Sequence, residues 1–237
     1  MLTYDNPVPV NRKHSVASMA ASMDTIASTP KPINATMVPV TSNNTTAKVN
    51  GQSAPRQRHI WLVTGPAGCG KSTVAKHLSE AIDLPYIEGD EFHSKENVEK
   101  MANGIPLTDI DRWDWLIALR KESLRKLEDG AEGVVLTCSA LKRKYRDVIR
   151  VAPYYMHDVV LHFIYLHAPE DVLLKRVGLR QGHYMGANMV HSQFSILEPP
   201  TAEETDVISI DVSRPMEDVL EDSLNKVLEK MKETESS

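Results

Sequence analysis

HIWLVTGPAGCGKST, residues 59–73, carries the strongest structural signal in this chain of 237 residues. Its first six residues are a short, mostly apolar run that predicts a buried strand. The next eight match the phosphate loop G-x-x-x-x-G-K-[ST] in full. Glycines let such a loop point several backbone N–H groups at one phosphate, and the following helix adds its positive N-terminal dipole. The stretch therefore predicts a strand, a nucleotide-binding loop and a helix in succession.

The residues of this loop have expected roles. The ammonium group of Lys71 is expected to reach the β- and γ-phosphates of ATP, and the hydroxyl of Ser72 to bind Mg²⁺. A glycine-rich turn without a ligand is the alternative, but the strand before the loop and the amphipathic helix after it favour nucleotide binding. The predicted ATP-binding residues are Gly65, Pro66, Ala67, Gly68, Cys69, Gly70, Lys71, Ser72 and Thr73.

Strand-like and helix-like runs alternate along the rest of the chain. The predicted strands are 59–64, 85–88, 133–138, 159–166 and 207–212. The predicted helices are 72–82, 97–102, 113–127, 141–151, 170–177 and 216–231. This alternation predicts an α/β fold with a five-stranded, mostly parallel sheet and helices on both faces. Ligands of such sheets bind at the carboxyl ends of the strands, so the site is expected there.

The first 58 residues differ from the rest in composition. They hold 13 Ser and Thr, 6 Asn, 6 Pro and, among aromatic residues, only Tyr4. Such a segment cannot bury enough apolar area to offset the entropy lost on ordering. We therefore predict a disordered, low-complexity tail over 1–58 and a folded domain over 59–237. The tail carries a net charge of +4 and the domain −9.

Charge and cysteine content bear on the partners and the compartment. The net charge of −5 argues against a general nucleic-acid binder. Two cysteines cannot form a disulfide framework, so we expect a reducing compartment, the cytoplasm. Its low acidity and many serines give the tail a faint resemblance to a mitochondrial transit peptide, but its basic residues are sparse, so a non-targeting tail is the favoured interpretation. No apolar run approaches the roughly 18 residues that span a bilayer, so no membrane partner is expected.

The second predicted strand ends in Glu88-Gly89-Asp90, beside the phosphate loop. A carboxylate there can accept a proton from an acceptor hydroxyl or hold a water on magnesium, which makes Asp90 the candidate general base. A surface aspartate that caps the next helix is the alternative. The chain lacks the D-x-x-G and N-K-x-D motifs of switch GTPases, and its third strand ends in Ser139 rather than Asp. The pattern favours a small-molecule kinase.

Six blocks of the chain resemble the gluconokinases of the phosphate-loop type, which share the shikimate-kinase and nucleoside-monophosphate-kinase fold. The blocks are GPAGCGKST (65–73), EGDEFHSKENVEKMANGIPLTDIDRWDWL (88–116), CSALKRKYRDVIR (138–150), RVGLRQGHYM (176–185), SQFSILEPP (192–200) and ETDVISID (204–211). The resemblance implies a P-loop small-molecule kinase domain over 59–237. It also implies ATP-dependent phosphorylation of D-gluconate at O6, giving 6-phospho-D-gluconate, and makes a homodimer an expectation.

Basic residues lie where an anionic sugar acid is expected to bind. Arg112 stands in a predicted loop before a helix that contains tryptophan, and Lys142 and Arg146 share one face of the helix after the third strand. Arginine pairs well with carboxylates, although a basic helix can also be a merely solvated face. The predicted substrate-binding residues are Asp90, His93, Arg112, Ser139, Lys142, Arg146, His183 and Gln193.

A mobile lid is predicted where a helix with two arginines runs into the glycine-containing segment 181–186. Arginines of a lid can neutralise charge on the transferred phosphoryl group, although they also suit an ordinary helix C-terminus. The predicted catalytic residues are Lys71, Asp90, Arg176 and Arg180. Two other functions stay open at this point: a shikimate-like or nucleotide kinase, and a nucleotide-binding regulator without catalysis.

Overall fold

The computed structural model describes residues 57–179 and 187–235, all of which belong to one unit, 51–237. The predicted tail therefore lies outside the described residues up to residue 56. Arg58 is already part of the first strand, where its Nε donates to Asp158 Oδ2 over 2.6 Å. The predicted tail thus extends one residue too far into the fold.

Five parallel strands form one sheet: β1 (Arg58–Thr64), β2 (Tyr86–Ile87), β3 (Gly133–Thr137), β4 (Val159–His167) and β5 (Val207–Asp211). Their order across the sheet is β2-β3-β1-β4-β5. All four pairings are parallel, with Ile60 of β1 opposite Val134 on one side and Leu161 on the other. This confirms the predicted five-stranded sheet and brings the carboxyl ends of all its strands to one edge.

Helices cover both faces of this sheet, as predicted. They are α1 (Lys71–Ala81), α2 (Lys95–Ala102), α3 (Asp109–Glu128), α4 (Arg143–Arg150), α5 (Glu170–Gly178), α6 (Ala187–Ile196) and α7 (Met216–Glu235). Ile60 and Leu62 of β1 lie in one apolar core with residues of α3 and α4. Trp61 and Val63 lie in a second core with residues of α1, α5 and α7. The alternating side chains of β1 therefore hold the two layers on opposite faces of the sheet.

Helix α3 begins earlier than the sequence predicted, at Asp109 instead of Trp113. The cause is local: the backbone N–H and the hydroxyl of Thr108 both donate to Asp111 Oδ2, over 2.8 and 2.7 Å. This interaction stabilises the first turn and satisfies a backbone donor there. Arg112 is therefore a helical residue with a fixed direction, and its prediction as a loop residue was wrong.

The prediction that no segment spans a membrane can be compared with the structure over the described residues. Within 57–179 and 187–235, no helix combines the length and the apolar character that a bilayer span requires. The glycine-containing segment 181–186 of the predicted lid lies outside these residues.

Candidate active site

The loop between β1 and α1 has the backbone that the motif predicted. Gly65, Gly68 and Gly70 have φ angles of 140°, 82° and 93°, and Gly70 is the N-cap of α1. A Cβ atom at Gly65 would lie 2.4 Å from the Leu166 carbonyl oxygen, so a larger residue does not fit. The side chain of Cys69 is fully buried, and burial raises the pKa of its thiol, as expected for a filler. The loop is preformed for a phosphate.

Two polar side chains, Lys71 and Gln193, form hydrogen bonds with the backbone of this loop. Lys71 Nζ donates to the carbonyl oxygens of Gly65 and Pro66, each at 3.1 Å, so its ammonium group lies over the loop. Gln193 of α6 accepts a hydrogen bond from the Ala67 N–H at its Oε1, over 2.7 Å, and is only 6% exposed. The predicted site residues Lys71 and Gln193 therefore both form hydrogen bonds with the phosphate loop.

Glu88 follows β2 and is held by hydroxyl groups. Tyr86 Oη donates to its Oε2 and Thr137 Oγ1 to its Oε1, each over 2.5 Å. Burial opposes ionisation of this carboxyl, but the hydrogen bonds from Thr137, Tyr86 and Ser72 outweigh it and lower the pKa of Glu88. An ionised carboxylate thus lies beside the Ser72 hydroxyl. The sequence did not point to Glu88, because two of its hydroxyl partners, Thr137 and Ser72, are remote from it in sequence.

Asp90 lies two residues further on, in a turn whose backbone is fixed. Gly89 donates its N–H to Thr137 Oγ1 over 2.9 Å, and a Cβ atom at Gly89 would lie 1.8 Å from the Thr137 carbonyl oxygen. The Asp90 side chain is open to solvent in the cleft. The protein around the cleft desolvates it and raises the pKa of Asp90, while Lys71 opposes the rise and Glu88 adds to it. Asp90 is therefore suited to exchanging a proton.

A buried cation and a neutral imidazole line the same cleft as this aspartate. Arg112 is 6% exposed; its Nη2 lies 3.3 Å from the Leu107 carbonyl oxygen, and its buried Nε has no hydrogen-bond partner among the described residues. The His93 ring stacks on Trp115 at 4.1 Å, and its buried Nδ1 likewise has no partner within the described part of the chain. Burial, with a contribution from Arg112, lowers the pKa of His93 to about 4. Both side chains thus offer unused polar atoms to a ligand.

One small cleft brings the central residues together. It has a volume of about 30 Å³ and is lined by Lys71, Asp90, His93, Met101, Leu107, Arg112, Ser139, Met189 and Gln193. Six of these nine are predicted site residues, and the other three are apolar. The cleft lies where β1, β2 and β3 end, as the sheet topology requires.

Lys142 lies beside α3 instead of lining this cleft. Its Nζ donates to Asp109 Oδ1 over 2.9 Å, and Lys144 and Tyr145 bind the same carboxylate. The hydrogen bonds from Lys144, Tyr145 and Lys142 hold the pKa of Asp109 well below its usual range. Lys142 thus links the start of α4 to the start of α3. This contact does not support the prediction that Lys142 binds the substrate.

Arg146 is also used differently from its prediction. Its Nε and Nη2 each donate to one oxygen of Glu204 over 2.7 Å, and both side chains are 2% exposed. The pKa of Glu204 is lowered to about 2, mainly by Arg146. The remaining Nη1 donates to the carbonyl oxygens of Ala140 and Glu198, each at 3.2 Å. Since all three of its nitrogen atoms donate hydrogen bonds within the protein, Arg146 is a structural residue here, which does not support its prediction as a substrate contact.

The predicted lid arginines are described only in part. Arg176 is on α5, where its Nη2 donates to the Val212 carbonyl oxygen over 2.6 Å and its buried Nη1 has no partner among the residues that the structure describes. Arg180 and His183 lie outside the described residues. Their predicted roles, and the lid itself, therefore stay predictions.

Comparison with known proteins gives the family. A family model described as an AAA domain matches residues 62–190. A probable gluconokinase of Schizosaccharomyces pombe is 46% identical, over 77% of this chain and 94% of that protein. The thermoresistant gluconokinase of Escherichia coli is 37% identical, over 71% of this chain and 93% of that protein. The chain belongs to the gluconokinase family.

Solved structures agree with membership of the gluconokinase family. A gluconokinase from Sinorhizobium meliloti superposes with a TM-score of 0.65 at 37% identity, over 75% of this chain and 96% of that one. The APS kinase of Mycobacterium tuberculosis, solved with AMPPNP and APS, superposes with a TM-score of 0.52 at 17% identity and shows a shared fold. The predicted P-loop kinase fold is confirmed.

Proposed function

We propose that this member of the gluconokinase family transfers the γ-phosphate of ATP to the 6-hydroxyl of D-gluconate, giving 6-phospho-D-gluconate and ADP. The observation that carries the proposal is the unpaired guanidinium of Arg112 in a cleft that also contains Asp90 and Lys71. Among the described residues, no carboxylate forms an ion pair with it. A buried cation without a counter-ion is costly, so an anionic acceptor is the natural partner.

The acceptor is held at its two ends in this proposal. Arg112 pairs with the carboxylate of the sugar acid, and His93 and Ser139 hydrogen-bond its hydroxyl groups. A neutral imidazole suits that role because it can accept a hydrogen bond at one nitrogen and donate at the other. Asp90 orients the reacting hydroxyl and takes its proton, while Lys71 neutralises charge on the phosphates.

Magnesium fits the oxygen groups next to the loop. The Ser72 hydroxyl and the ionised Glu88 carboxylate are the ligand types that Mg²⁺ prefers. The described residues contain no cluster of three or more His, Cys, Asp and Glu that could hold a metal ion. That agrees with Mg²⁺ bound by one or two protein groups and by the phosphates of ATP. When bound, Mg²⁺ would neutralise phosphate charge.

The test is an assay of ADP formation with D-gluconate, with and without Mg²⁺. D-Glucitol is the matched control, because it has the same carbon chain without the carboxylate. We expect turnover with gluconate and Mg²⁺, little with glucitol, and phosphate at O6 by NMR of the product. Turnover with shikimate or a nucleoside monophosphate alone would refute the proposal, and so would nucleotide binding without any transfer.

The setting of the enzyme is proposed on narrower grounds. Cys69 and Cys138 are both buried free thiols, which suits the reducing cytoplasm. A homodimer stays a hypothesis from the family resemblance, and light scattering of the full chain would test it. We expect no nucleic-acid partner, given the net charge of −5.

A further inference from the structure

Helix α6 contacts both sides of the cleft with one face. Gln193 accepts from the Ala67 N–H in the phosphate loop. Met189, four residues earlier and therefore on the same face, is 4% exposed and packs with Met101 of α2 and with Leu107. The helix thus joins the nucleotide side of the cleft to the acceptor side.

Two side chains of α6, Met189 and Gln193, form one wall of the cleft. An acceptor that binds beside Asp90 and Arg112 therefore lies against α6. Movement of α6 would break the hydrogen bond to the Ala67 N–H.

The oxygen and the nitrogen of the Gln193 amide point toward different partners. Because a backbone N–H can only donate, the group facing Ala67 is the amide oxygen, and the Nε2 donors point elsewhere. Within the part of the chain that the structure describes, no hydrogen bond is formed by Nε2. Gln193 also lines the cleft, next to Lys71 and Asp90. Its two ends can therefore contact the loop and the ligand site at once.

We propose that Gln193 is a positioning residue that couples docking of α6 over the acceptor to the phosphate loop. With the acceptor bound, α6 stays docked and Gln193 holds the loop at Ala67, so transfer to the sugar acid is favoured over transfer to water. With the acceptor absent, the contact opens and closes without productive alignment. This inference rests on the proposed function, because it needs an acceptor in the cleft.

The test compares Gln193→Met with wild type. Methionine keeps the size and the packing of the side chain but cannot accept from a backbone N–H. We expect kcat for gluconate to fall by about 10- to 100-fold, the scale of a misplaced reacting group. We expect KM for ATP and ATP hydrolysis without gluconate to stay within about threefold, so that the ratio of hydrolysis to transfer rises. Ser195→Ala, at an exposed position of α6, is the control and should leave both rates unchanged.

A second measurement does not depend on activity. Hydrogen exchange of the Ala67 amide in the ligand-free protein should speed up by about tenfold or more in Gln193→Met, because that amide loses its partner. Gln193→Glu keeps an acceptor and should restore protection. Unchanged exchange in Gln193→Met, or an equal fall of transfer and hydrolysis, would overturn the inference. If the wild type did not use gluconate, the proposed function would fail, while exchange at Ala67 would still decide whether Gln193 holds the loop.

Discussion

The indole Nε1 of Trp115 donates a hydrogen bond to the Gly89 carbonyl oxygen over 2.7 Å. The same ring stacks on His93 at a centroid distance of 4.1 Å. Trp115 is 3% exposed and lies on α3, one turn after Arg112. One buried side chain therefore positions the turn that carries Asp90 and the imidazole that lines the same cleft. Nothing in the local sequence assigns Trp115 to the site, because its effect is exerted through its neighbours.

Trp115→Phe should separate these two contacts, because phenylalanine can still stack on His93 but cannot donate to Gly89. A buried carbonyl without a partner costs about 1–3 kcal/mol, so the free energy of unfolding should fall by that amount in a denaturant titration. The kcat for gluconate should fall as the Asp90 turn loosens. Trp113→Phe is the control, since the ring of Trp113 contacts Tyr145 instead of the turn. Equal kcat values for wild type and Trp115→Phe would argue against this positioning role.

Lys71→Ala should abolish turnover, because the charge on the β- and γ-phosphates loses its partner. Circular dichroism should show an intact fold, since the hydrogen bonds of the ammonium group within the described residues go to carbonyl oxygens of the loop. Lys175→Ala removes the same charge at an exposed position of α5 and should keep wild-type activity. Steady-state kinetics with ATP and gluconate would decide, and an unchanged kcat in Lys71→Ala would rule out the assigned role.

Asp90→Asn should lower kcat by at least about 10²-fold, the usual scale for a positioned acid–base group. The ionised form must accept the proton, so wild-type kcat should fall as pH drops through the raised pKa of Asp90. That acidic limb should be missing in the variant. Asp114→Asn, at an exposed position of α3, serves as the control. A change in KM alone would make Asp90 a binding residue.

Arg112→Ala and Arg146→Ala should have opposite consequences. Arg112 pairs with no carboxylate among the described residues, so its loss should raise KM for gluconate with little change in stability. Removing Arg146 leaves the buried Glu204 without its bidentate partner, and breaking such a pair costs about 3–5 kcal/mol. Kinetics and denaturant titration of both variants provide the comparison. An unchanged gluconate KM in Arg112→Ala would remove this residue from the proposed site.

The stability of the fold should fall in mild acid because of His162. This residue is 3% exposed on β4, beside His59, and burial lowers its pKa to about 3. The unfolded chain binds a proton at His162 near pH 6.5, whereas the folded chain does not until about pH 3. Stability is therefore fully present above pH 6.5 and declines below it, by up to about 1.4 kcal/mol per pH unit.

His162→Leu isolates this contribution. The free energy of unfolding should depend less on pH between 6.5 and 5 in the variant than in wild type. His93 titrates with the same sign but is present in both proteins, so it cancels in the comparison. Parallel pH profiles for the two proteins would contradict the assignment to His162.

Local patterns were sufficient for the loop and for the order of the elements. The glycine spacing of residues 65–72 restricts the backbone to few conformations, and short apolar runs placed the five strands to within about two residues. Asp90 was predicted in the same way, since residues just past a parallel strand lie at the ligand edge of the sheet. These signals lie within a few neighbouring residues, so they can be read along the chain.

The sorting of the charged residues required the tertiary structure. Arg112 and Arg146 are equally basic in sequence, yet Glu204 pairs with Arg146 across 58 residues, whereas Arg112 forms an ion pair with no carboxylate of the described residues. Lys142 is paired by Asp109, 33 residues away, and Gln193 reaches Ala67 across 126 residues. Whether a basic side chain is available to a ligand depends on which acidic residue the fold brings next to it. Local sequence patterns do not predict such contacts, because the two residues are far apart along the chain.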